Sequence, residues 1–337
     1  MNGKDRRRVL ITSVPFGQAD PASLAVLKTA GADYVLNPLG RRPKEEELAE
    51  MIGDFDALIA GGETITDRVM GRAPNLRLIA RLGIGLDKVD LAAARARHIQ
   101  VTYTPDAPAP AVAELTIGLM LALLRFIPQA DRAIRQRKWL RPVGRRLADQ
   151  TVGVIGVGRV GRRVISLLTG FGCSLLASDT APTVNVGDPI NVHWVEKETI
   201  YRDADIITLH LPPTVETANL IAAREFRLMK SHALLVNTSR GELVNEKDLV
   251  EALREGRIGG AGLDVFSAEP YTGELADLEN TVLTSHIGSM SHDCRARMEL
   301  EAAREVARFI AGESPLQPAP LERLIDAPAD ESKPVRS

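Results

Sequence analysis

The sequence predicts an α/β protein with two domains, and three observations support this prediction. Short apolar segments alternate with helical segments along most of the chain, which is the pattern of βαβ units around a parallel sheet. A proline-rich stretch at residues 104–110 interrupts this alternation, which begins again at Thr151. The chain of 337 residues also has the length of two ordinary domains. We therefore place a domain boundary in the proline-rich stretch.

The first hundred residues predict one α/β domain. Its candidate strands are short and rich in apolar residues, and they lie at residues 9–14, 34–36, 57–60, 76–81 and 101–103. The segments between them have helical patterns, at residues 23–30, 44–53, 67–71 and 91–98. Residues 9–14 follow a basic segment, as the apolar part of a signal peptide does. Because this run is short and stops at Pro15, we predict a first buried strand instead.

The second part of the chain begins with a long helix at residues 111–125, which is apolar nearly all round and is therefore predicted to be buried. Another helix is predicted at residues 129–139, before Pro142. The later candidate strands are residues 152–155, 174–177, 206–209, 233–237, 258–263 and 281–283, and the later candidate helices are residues 160–171, 246–255 and 295–312. The polar tail after Pro315 is predicted to be disordered.

The composition argues against several classes of function. The chain has 42 basic and 44 acidic residues and only 4% aromatic residues, so we expect no nucleic-acid partner. The longest apolar run, residues 117–124, is far shorter than the ~20 residues that cross a bilayer. Two cysteines, Cys173 and Cys294, are too few for a disulfide framework, which favours a cytoplasmic location. No histidine has the spacing of a metal ligand, so we expect no metal.

A glycine fingerprint follows the predicted strand at residues 152–155. Its sequence is Gly156-Val157-Gly158-Arg159-Val160-Gly161, and it opens a predicted helix. The first glycine permits a tight turn, the second lets the backbone approach a pyrophosphate, and the third lets helix and strand pack closely. The helix N-terminus offers free N–H groups to the phosphates. A glycine-rich turn without a ligand is the alternative interpretation of this loop.

An acidic residue favours the nucleotide-binding interpretation. Asp179 stands eighteen residues after Gly161, at the end of the next predicted strand. A carboxylate at that place would accept hydrogen bonds from the adenosine ribose, and it would repel a 2′-phosphate. We therefore predict NAD, rather than NADP, as the cofactor.

Six further motifs occur around this fingerprint in a fixed order. They are Arg81-Leu82-Gly83-Ile84-Gly85-Leu86-Asp87, Val112-Ala113-Glu114, His210-Leu211-Pro212-Pro213-Thr214, Asn237-Thr238-Ser239-Arg240-Gly241, Gly262-Leu263-Asp264-Val265-Phe266 ahead of Glu269-Pro270, and Ser285-His286-Ile287-Gly288. In this order the sequence resembles the D-isomer-specific 2-hydroxyacid dehydrogenase family, in its phosphoglycerate dehydrogenase-like branch. The resemblance extends from about Ala57 to about Gly312.

The resemblance implies a particular domain organisation. A flavodoxin-like substrate domain would be discontinuous, with residues 1–104 and 291–337. A Rossmann NAD-binding domain, residues 105–290, would be inserted in it, and both domains would be doubly wound. The resemblance also implies a homodimer that assembles largely through the cofactor domains.

The resemblance further implies a catalytic trio for reducing a 2-oxo acid. An imidazole titrates near neutral pH, so His286 suits the proton donor to the carbonyl oxygen. Glu269 would orient His286 and favour its charged form. Arg240 would bind the substrate carboxylate with its planar guanidinium and stabilise charge on the carbonyl oxygen. Without the resemblance, the same residues could be an ordinary histidine, a turn residue and a surface cation.

The remaining implied site residues bind cofactor or substrate. The backbone around Leu82 and Gly83 would hold the substrate carboxylate, together with Arg240, and Asp264 would hold the nicotinamide carboxamide. The other cofactor contacts are expected from Arg159, Val160, Leu211, Pro212, Thr238 and Ser239, in addition to the three glycines of the fingerprint and Asp179.

The substrate stays open at this point. Gly61-Gly62-Glu63 occupies the place of an Arg-Ser pair in many phosphoglycerate dehydrogenases, which weakens the case for a phosphorylated substrate, although Arg81 could supply part of such a site. The residues around His286 and the helix with Met298-Glu299 look more like phosphoglycerate dehydrogenases. We therefore expect an NAD-dependent oxidoreductase for a small D-2-hydroxy acid, of the hydroxypyruvate, glyoxylate or 3-phosphoglycerate type. The alternative is a redox-sensing corepressor or scaffold that binds NAD on the same fold.

Overall fold

A computed structural model describes residues 6–181 and 192–320. The described residues form two compact units, one made of the chain up to Pro108 together with the chain from His292, and the other made of Ala109–Ser291. Each unit is a parallel β-sheet with helices, so the predicted two-domain α/β fold is confirmed.

The strands are short, between three and five residues each. The first unit contains β1 (Arg8–Ile11), β2 (Asp33–Leu36), β3 (Ala57–Ala60), β4 (Leu78–Arg81) and β5 (Gln100–Tyr103). The second unit contains β6 (Thr151–Ile155), β7 (Ser174–Ser178), β8 (Val192–Trp194), β9 (Ile206–Leu209), β10 (Leu234–Asn237), β11 (Gly260–Leu263) and β12 (Thr281–Leu283).

Helices connect the strands. In chain order the first unit contributes α1 (Ala22–Thr29), α2 (Glu45–Met51), α3 (Asp67–Gly71) and α4 (Leu91–Ala96). The second unit contributes α5 (Ala109–Leu124), α6 (Ile127–Arg135), α7 (Arg159–Thr169), α8 (Lys197–Asp203), α9 (Ala223–Leu228) and α10 (Glu246–Arg254). The chain then returns to the first unit in α11 (His292–Ala311).

The first unit has the strand order β2-β1-β3-β4-β5, and every pair of neighbours is parallel. This is the order of flavodoxin-like sheets. The chain passes from β1 outward to β2 and then crosses to β3 on the other side of β1. The carboxyl ends of β1 and β3 therefore form the topological switch point, which is where open α/β sheets bind ligands.

The second unit has the strand order β12-β11-β10-β9-β6-β7-β8, again with parallel neighbours. The chain runs from β6 through β7 to β8 and then crosses back to β9, so the order reverses between β6 and β9. This is the Rossmann arrangement, and the crevice at its switch point lies beside the loop that follows β6. The glycine fingerprint is that loop.

The apolar helix α5 is buried against the second sheet, as its all-round hydrophobicity predicted. Ala113, Thr116 and Met120 are fully buried. A Cβ atom at Gly262 in β11 would lie 3.2 Å from Leu119 and from Leu123 of this helix. The small residues of β11 therefore allow α5 to approach the sheet closely, which explains a glycine in the middle of a buried strand.

Some predicted elements differ from the structure. The helix predicted at residues 129–139 is α6, Ile127–Arg135, and it is separated from α5 because Phe126 has a left-handed backbone with φ 54°. The strand β8 and the helices α8 and α9 were not predicted, since three to seven residues show too little periodicity.

The prediction of a disordered tail after Pro315 is wrong for its first residues. The N–H of Tyr103 donates to the carbonyl oxygen of Gln317, and the N–H of Ala319 donates to that of Val101. These residues pair with the open edge of β5, which satisfies backbone groups that an edge strand would otherwise leave exposed. The rest of the predicted tail, residues 321–337, lies outside the described residues.

Within the described residues, no single helix is long and apolar enough to cross a membrane. The pair formed by α5 and α6, with a bend of 65° between them, has the required length and composition.

Candidate active site

The loop after β6 can be built only with glycine at two positions. Gly156 has φ +91°, and a Cβ atom there would lie 2.7 Å from the carbonyl oxygen of His210. A Cβ atom at Gly161 would lie 2.0 Å from the carbonyl oxygen of Gly156. At Gly158 a Cβ atom would meet nothing within 4 Å, so the space beside this residue is open. A tight turn with open space at the start of α7 fits a dinucleotide pyrophosphate.

Asp179 lies against this loop. It follows β7 directly, and its carboxylate accepts hydrogen bonds from the N–H of Val157 at 2.6 Å and from the N–H of Ala181 at 3.0 Å. The acid that the spacing predicted is therefore held beside the glycine turn, where the ribose of an adenosine would lie in a Rossmann domain. The residues present fit an NAD molecule.

The segment after β9 is hydrogen-bonded to the last residue of β6, which precedes the glycine loop, and to the turn after β10. The N–H of His210 donates to the carbonyl oxygen of Ile155, and the hydroxyl of Ser239 donates to the carbonyl oxygen of Leu211. Burial lowers the pKa of His210 to about 3, so this imidazole is neutral at physiological pH. Its Nε2 lies 3.0 Å from the hydroxyl of Thr208. His210 therefore belongs to the framework and does not titrate near neutrality.

The turn after β10 fixes the backbone of Arg240. The side-chain amide of Asn237 donates to the carbonyl oxygen of Arg240 at 2.7 Å, and its oxygen accepts from the N–H of Ser239 at 3.0 Å. The hydroxyl of Thr238 forms a buried hydrogen bond with that of Thr116 in α5 at 2.8 Å. A Cβ atom at Gly241 would lie 2.0 Å from the carbonyl carbon of Phe266. Glycine therefore brings the Arg240 turn against the segment that leads to Glu269.

Glu269 and His286 form a hydrogen-bonded pair. Nδ1 of His286 lies 2.9 Å from both carboxylate oxygens of Glu269. The histidine side chain is 38% exposed and the carboxylate 16% exposed. Because Nδ1 faces the carboxylate, Nε2 is the nitrogen that can exchange a proton with a substrate.

Asp264 holds the backbone that carries His286. Its buried carboxylate accepts hydrogen bonds from Thr284 Oγ1 at 2.6 Å and from the N–H groups of Ile287 and Gly288, each at 2.8 Å. Its carbonyl oxygen accepts from the N–H of His286 at 2.8 Å, and His286 has a left-handed backbone with φ 54°. The sequence showed no sign of this contact; the expected contact of Asp264 with the nicotinamide stays a prediction.

The three expected catalytic residues follow three neighbouring strands. Arg240 follows β10, Glu269 follows β11 and His286 follows β12, and these strands are adjacent in the sheet order. Because the carboxyl ends of parallel strands lie at one edge of a sheet, the cation of Arg240, the carboxylate of Glu269 and the imidazole of His286 lie at the same edge.

Leu82 and Gly83 belong to the first unit, where they follow β4. The N–H of Leu82 donates to the carbonyl oxygen of Ala60 at 2.9 Å, and the N–H of Gly83 donates to Thr104 Oγ1 at 2.7 Å. Both donors are therefore engaged within this unit. The expected contact of Gly83 with a substrate carboxylate requires an exchange of the Thr104 hydroxyl for the substrate.

Comparison with known proteins assigns the chain to a family. Residues 117–288, which include the fingerprint and the three catalytic candidates, match the sequence model of the D-isomer specific 2-hydroxyacid dehydrogenase NAD-binding domain. The chain is 37% identical to a glyoxylate reductase of Thermococcus litoralis over 289 residues, covering 82% of this chain and 86% of the relative. The chain belongs to the D-isomer-specific 2-hydroxyacid dehydrogenase family.

Two further similarities support this assignment. The dehydrogenase is 36% identical to a hydroxypyruvate reductase of Thermotoga maritima over 270 residues, covering 78% of this chain and 87% of the relative. A solved protein structure from Thermus thermophilus has a TM-score of 0.85 at 34% identity and covers 93% of this chain and all of that one. The expected family and the two-domain fold are confirmed.

This dehydrogenase is an NAD-dependent oxidoreductase that interconverts 2-hydroxy acids and 2-oxo acids. Its second unit contains the expected cofactor residues in the segments that follow β6, β7, β9, β10 and β11. Among residues 6–181 and 192–320, no group of three or more histidine, cysteine or acidic side chains could hold a metal ion. The side chains at the carboxyl edge of this sheet can supply proton transfer and carboxylate binding.

Proposed function

We propose that this dehydrogenase reduces a small, unphosphorylated 2-oxo acid of the glyoxylate or hydroxypyruvate type to its D-2-hydroxy acid with NADH, and catalyses the reverse oxidation. The observation that supports a catalytic role for this edge is the contact of His286 Nδ1 with both oxygens of Glu269 at 2.9 Å. An imidazole held in one orientation by a carboxylate is suited to general acid–base catalysis.

In this proposal His286 is the proton donor. The nicotinamide supplies the hydride to the carbonyl carbon when the cofactor is bound. Nε2 of His286 donates its proton to the carbonyl oxygen, and the charge left on the carbonyl oxygen is neutralised in the same step. Glu269 keeps the ring in position through its contact with Nδ1. In the oxidation, His286 accepts the hydroxyl proton.

Arg240 is the proposed carboxylate-binding residue. Its guanidinium stays charged at any working pH and can form two parallel hydrogen bonds with a carboxylate. Its backbone is fixed on both sides by the Asn237 amide. One guanidinium nitrogen donates to the carbonyl oxygen of Ser239 at 2.7 Å, which helps to orient the group. The loop at Leu82 and Gly83 in the first unit is proposed to bind the same carboxylate.

The proposal assigns one role to each unit. The substrate domain, residues 1–104 and 291–337, presents the Leu82–Gly83 loop, and the NAD-binding domain, residues 105–290, presents the fingerprint and the catalytic trio. The proposed cofactor contacts follow β6, β7, β9, β10 and β11, and they are Gly156, Gly158, Arg159, Val160, Gly161, Asp179, Leu211, Pro212, Thr238, Ser239 and Asp264.

A phosphorylated substrate is the second candidate, and the positions of two arginines in the first unit favour it. A Cβ atom at Gly62 would lie 2.8 Å from a guanidinium nitrogen of Arg42, so Arg42 brings a cation to the loop after β3. Arg81 lies beside Gly83, since its Nη1 would be 3.2 Å from a Cβ atom there. Two guanidinium groups could bind a phosphate. Against this, the same loop contains the buried carboxylate of Glu63, which would repel a phosphate.

A substrate panel tests the proposal. NADH oxidation would be followed with glyoxylate, hydroxypyruvate, pyruvate and 3-phosphohydroxypyruvate, and we expect the highest kcat/KM with glyoxylate or hydroxypyruvate. His286→Ala should abolish turnover while NADH binding is retained. Highest activity with 3-phosphohydroxypyruvate, lost in Arg42→Gln, would support the second candidate. No turnover with any acid, despite NADH binding, would contradict the proposal.

We also propose that the protein is a cytoplasmic homodimer. The segment after α5 exposes several apolar side chains of the cofactor unit, with Trp139 82% and Val143 95% exposed, together with Ile127, Ile134 and Leu140. Apolar groups concentrated in one segment are typical of a surface that pairs with a partner. A second copy is the expected partner. Sedimentation should give the mass of a dimer, and Trp139→Glu should shift it toward the monomer; a monomeric wild-type protein would contradict this.

A further inference from the structure

An ion pair is buried in the first unit, on helix α11. Arg295 and Glu299 are one turn apart on α11, and Arg295 Nη2 lies 2.8 Å from Glu299 Oε1. Their side chains are only 10% and 1% exposed. Among the described residues, Arg295 Nε is buried without a hydrogen-bond partner. Burying an ion pair, and leaving a donor unpaired, brings little stability compared with apolar side chains. Stability alone therefore does not explain the pair.

The pair holds the segment that follows β1, residues 13–17, at three points. Glu299 Oε2 accepts a hydrogen bond from the N–H of Gly17 at 2.8 Å. Arg295 Nη2 lies 3.1 Å from Ser13 Oγ and also contacts the carbonyl oxygen of Pro15. All of these groups belong to the first unit. These three contacts fix the segment within the first unit.

The position of the segment points to a ligand. It leaves the carboxyl end of β1, next to β3, which is the switch point of the first sheet. Open α/β sheets bind ligands at this point. The loop after β3 is fixed here as well, because the buried carboxylate of Glu63 accepts hydrogen bonds from the Thr12 hydroxyl and from the N–H of Gly61.

We propose that Arg295 and Glu299 are positioning residues that hold residues 13–17 as one wall of the substrate site. Ser13 is itself buried, so its contact with the guanidinium holds the backbone of the segment in place. The pair therefore controls substrate affinity and leaves the hydride and proton transfers to other residues. This inference rests on the proposed 2-oxo acid reductase function.

A double variant separates positioning from stability. Arg295→Met with Glu299→Leu replaces the pair by apolar side chains of similar size, which buried ion pairs commonly tolerate without loss of folding. It removes the three contacts to residues 13–17. We expect KM for the 2-oxo acid to rise by about tenfold or more, with kcat within about twofold and NADH affinity unchanged, because misplacing a binding group by ~1 Å has effects of this size.

The matched control is a second pair on the same helix. Arg297 and Glu301 are also one turn apart, at 2.8 Å, but Arg297 is exposed. Arg297→Met with Glu301→Leu should leave KM and kcat unchanged. An equal rise of KM in both double variants, or an unchanged KM in a folded Arg295→Met/Glu299→Leu protein, would overturn the inference.

Two further measurements keep the inference testable if the double variant does not fold, or if the function proposal fails. Ser13→Ala removes one hydroxyl and no charge, and we expect KM to rise by about threefold while stability is retained; an unchanged KM would contradict the role of this segment. Hydrogen exchange of residues 13–17 needs no activity. Faster exchange in the double variant than in the wild type and the control supports the positioning role even without turnover, and unchanged exchange contradicts it.

Discussion

His286 Nδ1 lies 2.9 Å from both carboxylate oxygens of Glu269, so one side chain determines which nitrogen of the imidazole is available. A ring held at Nδ1 must exchange protons through Nε2. In the same segment, the left-handed backbone of His286 is held by Asp264. The orientation of the imidazole is therefore determined twice, once through the side chain and once through the backbone.

The first prediction concerns Glu269. In Glu269→Gln one of the two oxygens that contact Nδ1 of His286 is replaced by an NH2 group, so the ring is held less firmly, although a hydrogen bond can remain. We expect kcat for 2-oxo acid reduction to fall by about a hundredfold at neutral pH, in the range typical of general acid catalysis. Steady-state rates with NADH would measure this, with NADH affinity as the control. A fall in kcat of less than about threefold would contradict the proposed role of Glu269 in orienting His286.

The second prediction concerns Asp264. Asp264→Ala leaves two N–H groups and one hydroxyl of residues 284–288 without their acceptor. Unpaired buried groups cost about 1–3 kcal/mol each, so we expect the free energy of unfolding to fall by at least about 2 kcal/mol. Urea unfolding followed by circular dichroism would measure this. Turnover should fall as well, because His286 loses its backbone support. Asp264→Asn, which keeps one acceptor oxygen, should be affected less.

The third prediction concerns cofactor selectivity. Asp179 holds the glycine turn through the N–H of Val157, and its charge would repel a 2′-phosphate. In Asp179→Ala we expect the Kd of NADH to rise by about tenfold, because hydrogen bonds to a charged group are lost. The preference of the enzyme for NADH over NADPH should fall by a similar factor. Fluorescence titration with both cofactors would measure these changes. A preference for NADPH in the wild type would contradict the proposed role.

The fourth prediction concerns stability and pH. Burial by itself would raise the pKa of Asp205, but hydrogen bonds from Lys230, the N–H of Thr151 and His232 outweigh this effect and lower it. A lowered folded-state pKa stabilises the protein above the unfolded-state pKa, about 4, and this contribution is lost as the pH falls through the folded-state value.

We therefore expect Asp205→Asn to be destabilised by about 1–2 kcal/mol at pH 7, and the difference from the wild type to shrink as the pH falls below about 4. Unfolding curves at several pH values would measure it. The exposed carboxylate of Asp203, two residues away, provides the control, since Asp203→Asn should show little change at any pH. A constant difference at all pH values would show that the charge of Asp205 plays no part.

Much of the fold was predictable because its elements follow local rules. The buried strands β3 and β9 are short apolar runs, and the all-round apolar sequence of α5 predicted burial. The fingerprint glycines have individual steric reasons, which the close approaches at Gly156 and Gly161 confirm. The missed elements, such as β8, are too short for a periodic pattern, and their conformation depends on a neighbouring strand.

The candidate site was predictable as a set of residues, but its geometry was not. Motif order indicated Arg240, Glu269 and His286, yet no local rule indicates that Asp264 holds the His286 segment or that Arg295 and Glu299 hold residues 13–17. These contacts join groups 23 and 282 residues apart. Such pairings depend on the packing of whole elements.

The sequence by itself determined the alternation of strands and helices, the nucleotide loop with its acid, and the family, because each depends on residues close together in the chain or on motifs in a fixed order. Only the tertiary structure decided that β10, β11 and β12 are neighbours, which collects Arg240, Glu269 and His286 at one edge of the sheet. The physical reason is that strand order results from the burial of both sheet faces by helices, a property of the whole domain that no short segment contains.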